Sequence, residues 1–142
     1  MEGFQFKTQL KVRYSEIDGQ KIVFNAHYMT YLDIAISEYY SKGLQLDYVF
    51  ADGIFDFVLA KSTLEYKQPA RLNDVLDLWC RTVKIGRTSF VNEFVITRTE
   101  ELDPLVKAEI IYVSIDPKTL KPQPMPELVR NRIEQFECDV DF

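Results

Sequence analysis

One apolar stripe limits what this chain can become. From Tyr28 onward, Tyr28, Tyr31, Leu32, Ala35, Ile36 and Tyr39 fall at offsets of three, four, seven, eight and eleven, the spacing that lines up on one face of an α-helix. No other stretch carries so long a helical stripe, and most of the chain beyond it alternates with a period of two. A chain with one long amphipathic helix and many strands must bury that helix against a sheet. Asn25 stands just before the first turn, where its side-chain oxygen could accept from an unpaired amide, so it is the expected N-cap. Gly43 follows the last periodic residue and is the expected left-handed C-cap.

Chemistry follows from where the helix starts. A helix N-terminus presents unpaired N–H groups and a partial positive charge of about half an electron, which suits a developing oxyanion. Asp18 lies seven residues before Asn25, on a loop short enough to fold back over that end. A carboxylate facing such amides is the minimal equipment for acyl transfer: one attacks or activates water, the other holds the tetrahedral oxygen. Asp18 followed by glycine is also an ordinary turn dipeptide, and Asn25 an ordinary cap, so both residues carry a purely structural reading beside the catalytic one.

Around the helix the alternation resolves into strands. Residues 5 to 14 set Phe6, Thr8, Leu10, Val12 and Tyr14 on one face. The stretch 44–53 reads as connection. In the run 54–68, Val58, Ala60, Ser62, Leu64 and Tyr66 face one way and Lys61, Thr63, Glu65 and Lys67 the other, until Pro69 stops it. A run from 74 to 85, a break at 86–89, and a run from Phe90 predict a hairpin. Residues 105–115 form the last strand, and Pro126 opens a short helix to about Phe136. The order is strand, long helix, four strands, short helix: an α+β fold with one helix wrapped by an antiparallel sheet of about five strands. At 142 residues a single domain over 1–142 is expected.

The run Asp18, Val23, Phe24, Asn25, Ala26, His27, Tyr28 resembles the D-x-x-G-x-V-x-N-A-x-Y signature of the 4-hydroxybenzoyl-CoA thioesterase-like branch of the hotdog-fold acyl-CoA thioesterases. LAKSTLEYKQPARLNDVL, VKIGRTSFVNEFVI and AEIIYVSIDPKTLKPQPMP are similar to the family's later strands and C-terminal segment. The resemblance implies a hotdog fold and hydrolysis of an acyl-CoA or acyl-carrier-protein thioester. It implies Asp18 as nucleophile or general base, and amides near Asn25 and Ala26 as the oxyanion hole. It also implies a homo-oligomer, dimer or tetramer, with sheets joined edge to edge and sites at the interface. One position departs: the glycine usual three residues after the aspartate is Lys21, and Gly19 is expected to take part of the turn.

An apolar slot lined by Tyr28, Phe57 and Phe90 would take the acyl group. Lys84, Arg87, Thr88 and Ser89 at the hairpin, with Lys61 and Thr63 on a neighbouring strand, would supply cations and donors to the nucleotide phosphates. A basic hairpin is equally an ordinary soluble surface. Asp33, Glu38 and Glu65 are the reserve carboxylates, and His27, the single histidine, reads as a packing residue of the first turn. With one histidine and two cysteines far apart, no metal or redox cofactor is expected; coenzyme A enters only as part of the substrate. A net charge of −5 argues against nucleic acid, and no apolar run reaches the length of a membrane span, which points to the cytoplasm. The rival reading is a hotdog protein that binds acyl-CoA or acyl-carrier protein without turnover, motivated by Lys21. A hydratase is disfavoured by the Asp18 to His27 spacing.

Overall fold

A computed structural model of the chain describes residues 1–138 and 140–142. Five strands, β1 (Phe6–Lys11), β2 (Asp56–Tyr66), β3 (Val75–Ile85), β4 (Ser89–Arg98) and β5 (Pro104–Ile115), form one antiparallel sheet in the order β1-β3-β4-β5-β2. Helix α1 (His27–Glu38) lies against β3 and β1 and buries Tyr28, Tyr31, Leu32, Ala35 and Ile36. Its stripe meets Leu76, Leu78 and Cys80 of β3, Phe90, Phe94 and Ile96 of β4, and Ala108, Ile110 and Tyr112 of β5 in one apolar core. Each such side chain taken fully from water contributes about 1.5–3 kcal/mol, which is what fixes the helix to the sheet.

Both expected caps differ from the structure. Ala26, not Asn25, occupies the N-cap position, and no side chain caps the helix. At the other end the chain continues through a widened π-type turn, Tyr39–Gly43, closed by the Leu44 amide donating to the Tyr39 carbonyl at 2.8 Å. Gly43 keeps an ordinary φ; the left-handed residue is Gln45, at φ 56°. Position 43 is tight rather than left-handed: a Cβ there would stand 3.0 Å from the Phe6 ring, which would have to give slightly. A short helix α2 (Asp47–Ala51) occupies the segment expected to be plain connection.

The strand readings hold except where a residue is inserted. Tyr14 is not inward: it starts a 3₁₀ turn, Tyr14–Glu16, and is 79% exposed. In β2 the register with β5 shifts between Leu59 and Lys61. Phe57 and Leu59 therefore share the helix-facing side with Ser62, Leu64 and Tyr66, and Val58 joins Lys61, Thr63 and Glu65 on the other. On that outer face the N-terminal segment folds back over β3, with Phe4 edge-on to Trp79 at 6.2 Å and the Arg81 guanidinium 4.6 Å above the Phe4 ring. Helix α3 (Glu127–Phe136) follows Pro126, and beyond it Glu137 accepts from the Tyr39 hydroxyl at 2.7 Å and the Thr82 amide at 2.8 Å.

Candidate active site

The loop between β1 and α1 is a miniature hairpin. Ile17 bridges Val23, the Asp18 amide donates to Ile22 O, and the Phe24 amide donates to Glu16 O, both at 2.9 Å. Asp18 is thereby fixed on one arm while the other arm runs directly into α1. Lys21 closes the tip with φ 65°, its amide donating to Asp18 O at 2.9 Å. The residue at the family's glycine position thus adopts the backbone a glycine would take, and Gly19, with an ordinary φ, does not substitute for it. The Asp18 carboxylate accepts the Gln20 amide at 2.7 Å and lines a groove of about 590 Å³ with Tyr14, Ile17, Gly19, Lys21 and Leu72.

At the head of α1 the amides of His27, Tyr28 and Met29 turn back onto the carbonyls of Phe24, Asn25 and Ala26. Among the described residues, the amides of Asn25 and Ala26 donate to no backbone acceptor, and both residues are exposed. Two unpaired donors at a helix start are the equipment expected for an oxyanion. Asn25 lines a second groove, of about 240 Å³, with Ile22, Val23, Tyr28, Tyr66 and Pro69 among its walls. Tyr28 is nearly buried and its hydroxyl accepts the Ala70 amide at 3.1 Å, so it contributes its ring rather than a free hydroxyl. His27 sits edge-on to Phe24 at 6.2 Å, as a packing residue. In a single chain Asp18 and Asn25 line two separate grooves that share no lining residue, rather than a common cavity.

A second carboxylate, unremarked in the sequence, anchors this hairpin. Glu16 is 4% exposed and accepts from the Arg13 amide at 2.8 Å, the Arg13 guanidinium at 2.8 and 3.2 Å, and the Tyr31 hydroxyl at 2.9 Å. Burial alone would push its carboxyl upward, but the Arg13 and Tyr31 donors outweigh that and hold it below the ordinary glutamate range. The same burial and the Glu16 charge push the Tyr31 hydroxyl up. Only the Arg13-x-x-Glu16 spacing, a capping-box arrangement, signals this pair in sequence.

The other expected site residues separate into two groups. Lys61 and Lys84 share one row across the outer face, joined through Ile111 and Val91. Thr63 lies one row further along, paired with Glu109. The Arg87-Thr88-Ser89 turn is closed by the Gly86 amide on Ser89 O at 2.7 Å, and Arg130 of α3 reaches Gly86 O at 3.2 Å, a cation the strand pattern could not reveal. The expected acyl slot is divided. Phe57 lines a pocket of about 270 Å³ with Ile36, Ser37, Tyr40 and Phe50, at the far end of α1 from Tyr28, and Phe90 stacks behind it on Tyr112. Of the reserve acids, Glu38 and Glu65 are held by Lys42 and Lys67 at 2.9 and 3.0 Å, and burial raises the Asp33 carboxyl. Among the described residues no group of three or more His, Cys, Asp or Glu converges as metal ligands, and no helix is long and apolar enough to cross a membrane.

With the acid and the unpaired helix amides placed on one cross-tied loop, the chain can be set beside known proteins. It is 30% identical over 130 residues, 92% of this chain and 98% of the relative, to the long-chain acyl-CoA thioesterase FadM of Escherichia coli strain K12. It is 28% identical over 130 residues to the acyl-CoA thioester hydrolase YbgC of Escherichia coli O6:H1, covering 92% of this chain and 96% of the relative. A Thermus thermophilus thioesterase, solved in complex with coenzyme A and Zn, superposes with a TM-score of 0.82 at 29% identity, over 97% of this chain and 98% of that one. The sequence profile of the thioesterase-like superfamily matches residues 12–133, from the end of β1 into α3 and across the whole hairpin. The chain belongs to the thioesterase-like superfamily.

Proposed function

We propose that this chain hydrolyses acyl-CoA thioesters to a free carboxylic acid and coenzyme A. The observation that carries the reading is the hairpin: Asp18 on one arm, and on the other the unpaired amides of Asn25 and Ala26 at the start of a buried helix. Asp18 either attacks the thioester carbonyl itself or takes a proton from the attacking water; in both routes the amides hold the oxygen as it gains charge. The C–S bond breaks and the sulfur leaves as thiol; if water attacks, the acid forms directly, and if Asp18 attacks, an acyl-aspartyl anhydride forms that water then cleaves to the acid and free Asp18. Within the superfamily, the run from Asp18 to Tyr28 supports the 4-hydroxybenzoyl-CoA thioesterase-like branch. Lys61, Thr63, Lys84, Arg87, Thr88 and Ser89 are proposed to meet the nucleotide phosphates.

A second copy completes the site in this reading. β2 is an edge strand of 11 residues with Val58, Leu59 and Tyr66 each 44–54% exposed, the kind of edge that pairs with another chain. Antiparallel pairing of β2 with β2 of a second copy, centred near Lys61 and Ser62, sets the Phe57 end of one against the Tyr66 end of the other. The aromatic pocket of one copy then adjoins the Asn25 groove of its mate, joining the two halves of the acyl slot. A binder without turnover is motivated only by Lys21, and the left-handed backbone that Lys21 adopts removes that motive. The test is release of free thiol from benzoyl-CoA, hexanoyl-CoA and palmitoyl-CoA. Turnover of at least one supports the reading; tight binding of all three with no thiol released overturns it.

A further inference from the structure

We propose that Glu16 and Tyr31 are a positioning pair that sets the separation between Asp18 and the amides at the head of α1, an inference that rests on the reading of Asp18 as the catalytic acid. A carboxylate buried as deeply as Glu16 persists only when its oxygens are well satisfied. Three of its four hydrogen bonds come from Arg13, three residues away on the same turn, and these suffice to close the loop locally. The fourth comes from Tyr31, fully buried on the second turn of α1, and among the described residues it is the hydrogen bond that crosses from the acid-bearing arm to the helix. Glu16 also meets the other arm, since its carbonyl takes the Phe24 amide immediately before Asn25.

Among the described residues, no other side-chain hydrogen bond joins the acid-bearing arm to α1, so the pair sets this distance beside the apolar packing of Ile17 and Val23. The Asp18 side chain is held by a single bond, to the Gln20 amide within its own turn, while backbone bonds tie its arm to the other arm, so a shift of the hairpin relative to α1 works against the Glu16–Tyr31 bond. Tyr31 cannot follow such a shift, because its ring is wedged edge-on against Tyr28 at 5.9 Å and Tyr28 in turn is tied to the Ala70 amide. Ala70 closes the circuit by accepting the Val23 amide at 2.9 Å. Two tyrosine hydroxyls, one on each side, clamp both arms to one rigid helix. Because neither Glu16 nor Tyr31 lines the grooves at Asp18 and Asn25, loss of the pair should slow the chemical step without loosening substrate.

The experiment is a double-mutant cycle on kcat with the acyl-CoA that the wild-type chain turns over best, using Tyr31→Phe, Glu16→Gln and the two combined. Each single variant is expected to lower kcat about tenfold or more, since misplacing a reacting group by about 1 Å can cost about a hundredfold. KM should stay within about twofold, and the double variant should lose no more than the worse single one. Tyr31→Phe keeps the ring and the core, so it carries the test alone if Glu16→Gln does not fold. A Tyr31→Phe kcat within about twofold of wild type, or losses that multiply in the double variant, overturns the pair. Asp18→Asn run alongside separates the two claims. If that variant keeps wild-type turnover, the catalytic reading fails and the pair falls with it; an inactive Asp18→Asn beside a fully active Tyr31→Phe overturns the pair alone.

Discussion

At its start α1 is tied down mainly by hydrogen bonds aimed at single atoms, whereas its far end adds to one such tie, Tyr39 to Glu137, a dense cluster of aromatic rings. Around the start, Tyr31 donates to Glu16, Tyr28 accepts from Ala70, and the amides of Asn25 and Ala26 find no backbone acceptor among the described residues. Around the end, Tyr40 meets Phe50, Phe55 and Phe57 at 5.4–5.9 Å between ring centres, and Phe57 meets Tyr112 at 4.9 Å. Directional bonds fix positions to fractions of an ångström but add little net stability each; rings add much burial but tolerate sliding. The difference teaches that the proposed chemistry and the densest ring packing lie at opposite ends of one helix. The two can be perturbed separately.

The largest stability effect belongs to the aromatic end. Phe55 is fully buried there, and Phe55→Ala is expected to cost about 3–5 kcal/mol in chemical denaturation. That cost should be much the same at every pH, because no charge is involved. The helix start should behave otherwise. Glu16 is depressed in the folded state, so the stability it contributes is present above its unfolded pKa and is lost as pH falls through its folded value. A wild-type acid denaturation curve that matches Glu16→Gln throughout that window would dissolve the contrast. The smallest effect is at the tip of the hairpin. Lys21→Gly, which removes the steric cost of a left-handed side chain, is expected to stabilise by about 0.5–1 kcal/mol in chemical denaturation, and a clear loss would show that the Lys21 side chain contributes to the fold more than its backbone costs.

What was legible in the sequence was whatever repeats. The α1 stripe predicted the buried set Tyr28, Tyr31, Leu32, Ala35 and Ile36 residue by residue, and the alternation placed all five strands. What was not legible was whatever inserts or breaks a repeat. The register shift at Leu59 and Lys61 turns Val58 outward, and the π-type turn displaces the left-handed position from Gly43 to Gln45. Neither leaves a compositional trace, because one extra residue in a strand or turn looks like any other. At the site, Asp18 and the amides of Asn25 and Ala26 are proposed from their spacing together with the family resemblance, whereas the Glu16 and Tyr31 tie left no such sign. Tyr31 counts as apolar in the stripe, and only the fold shows where its hydroxyl goes.

Asp18 carries the proposed chemistry, and the most direct measurement is thiol release by Asp18→Asn under saturating acyl-CoA, alongside its melting temperature. The side chain is half-exposed and held by one bond inside its own turn, so the variant should melt within a few degrees of wild type. Its kcat should fall about a hundredfold or more. A folded Asp18→Asn variant that releases thiol at the wild-type rate would contradict the assignment of this carboxylate to the chemistry.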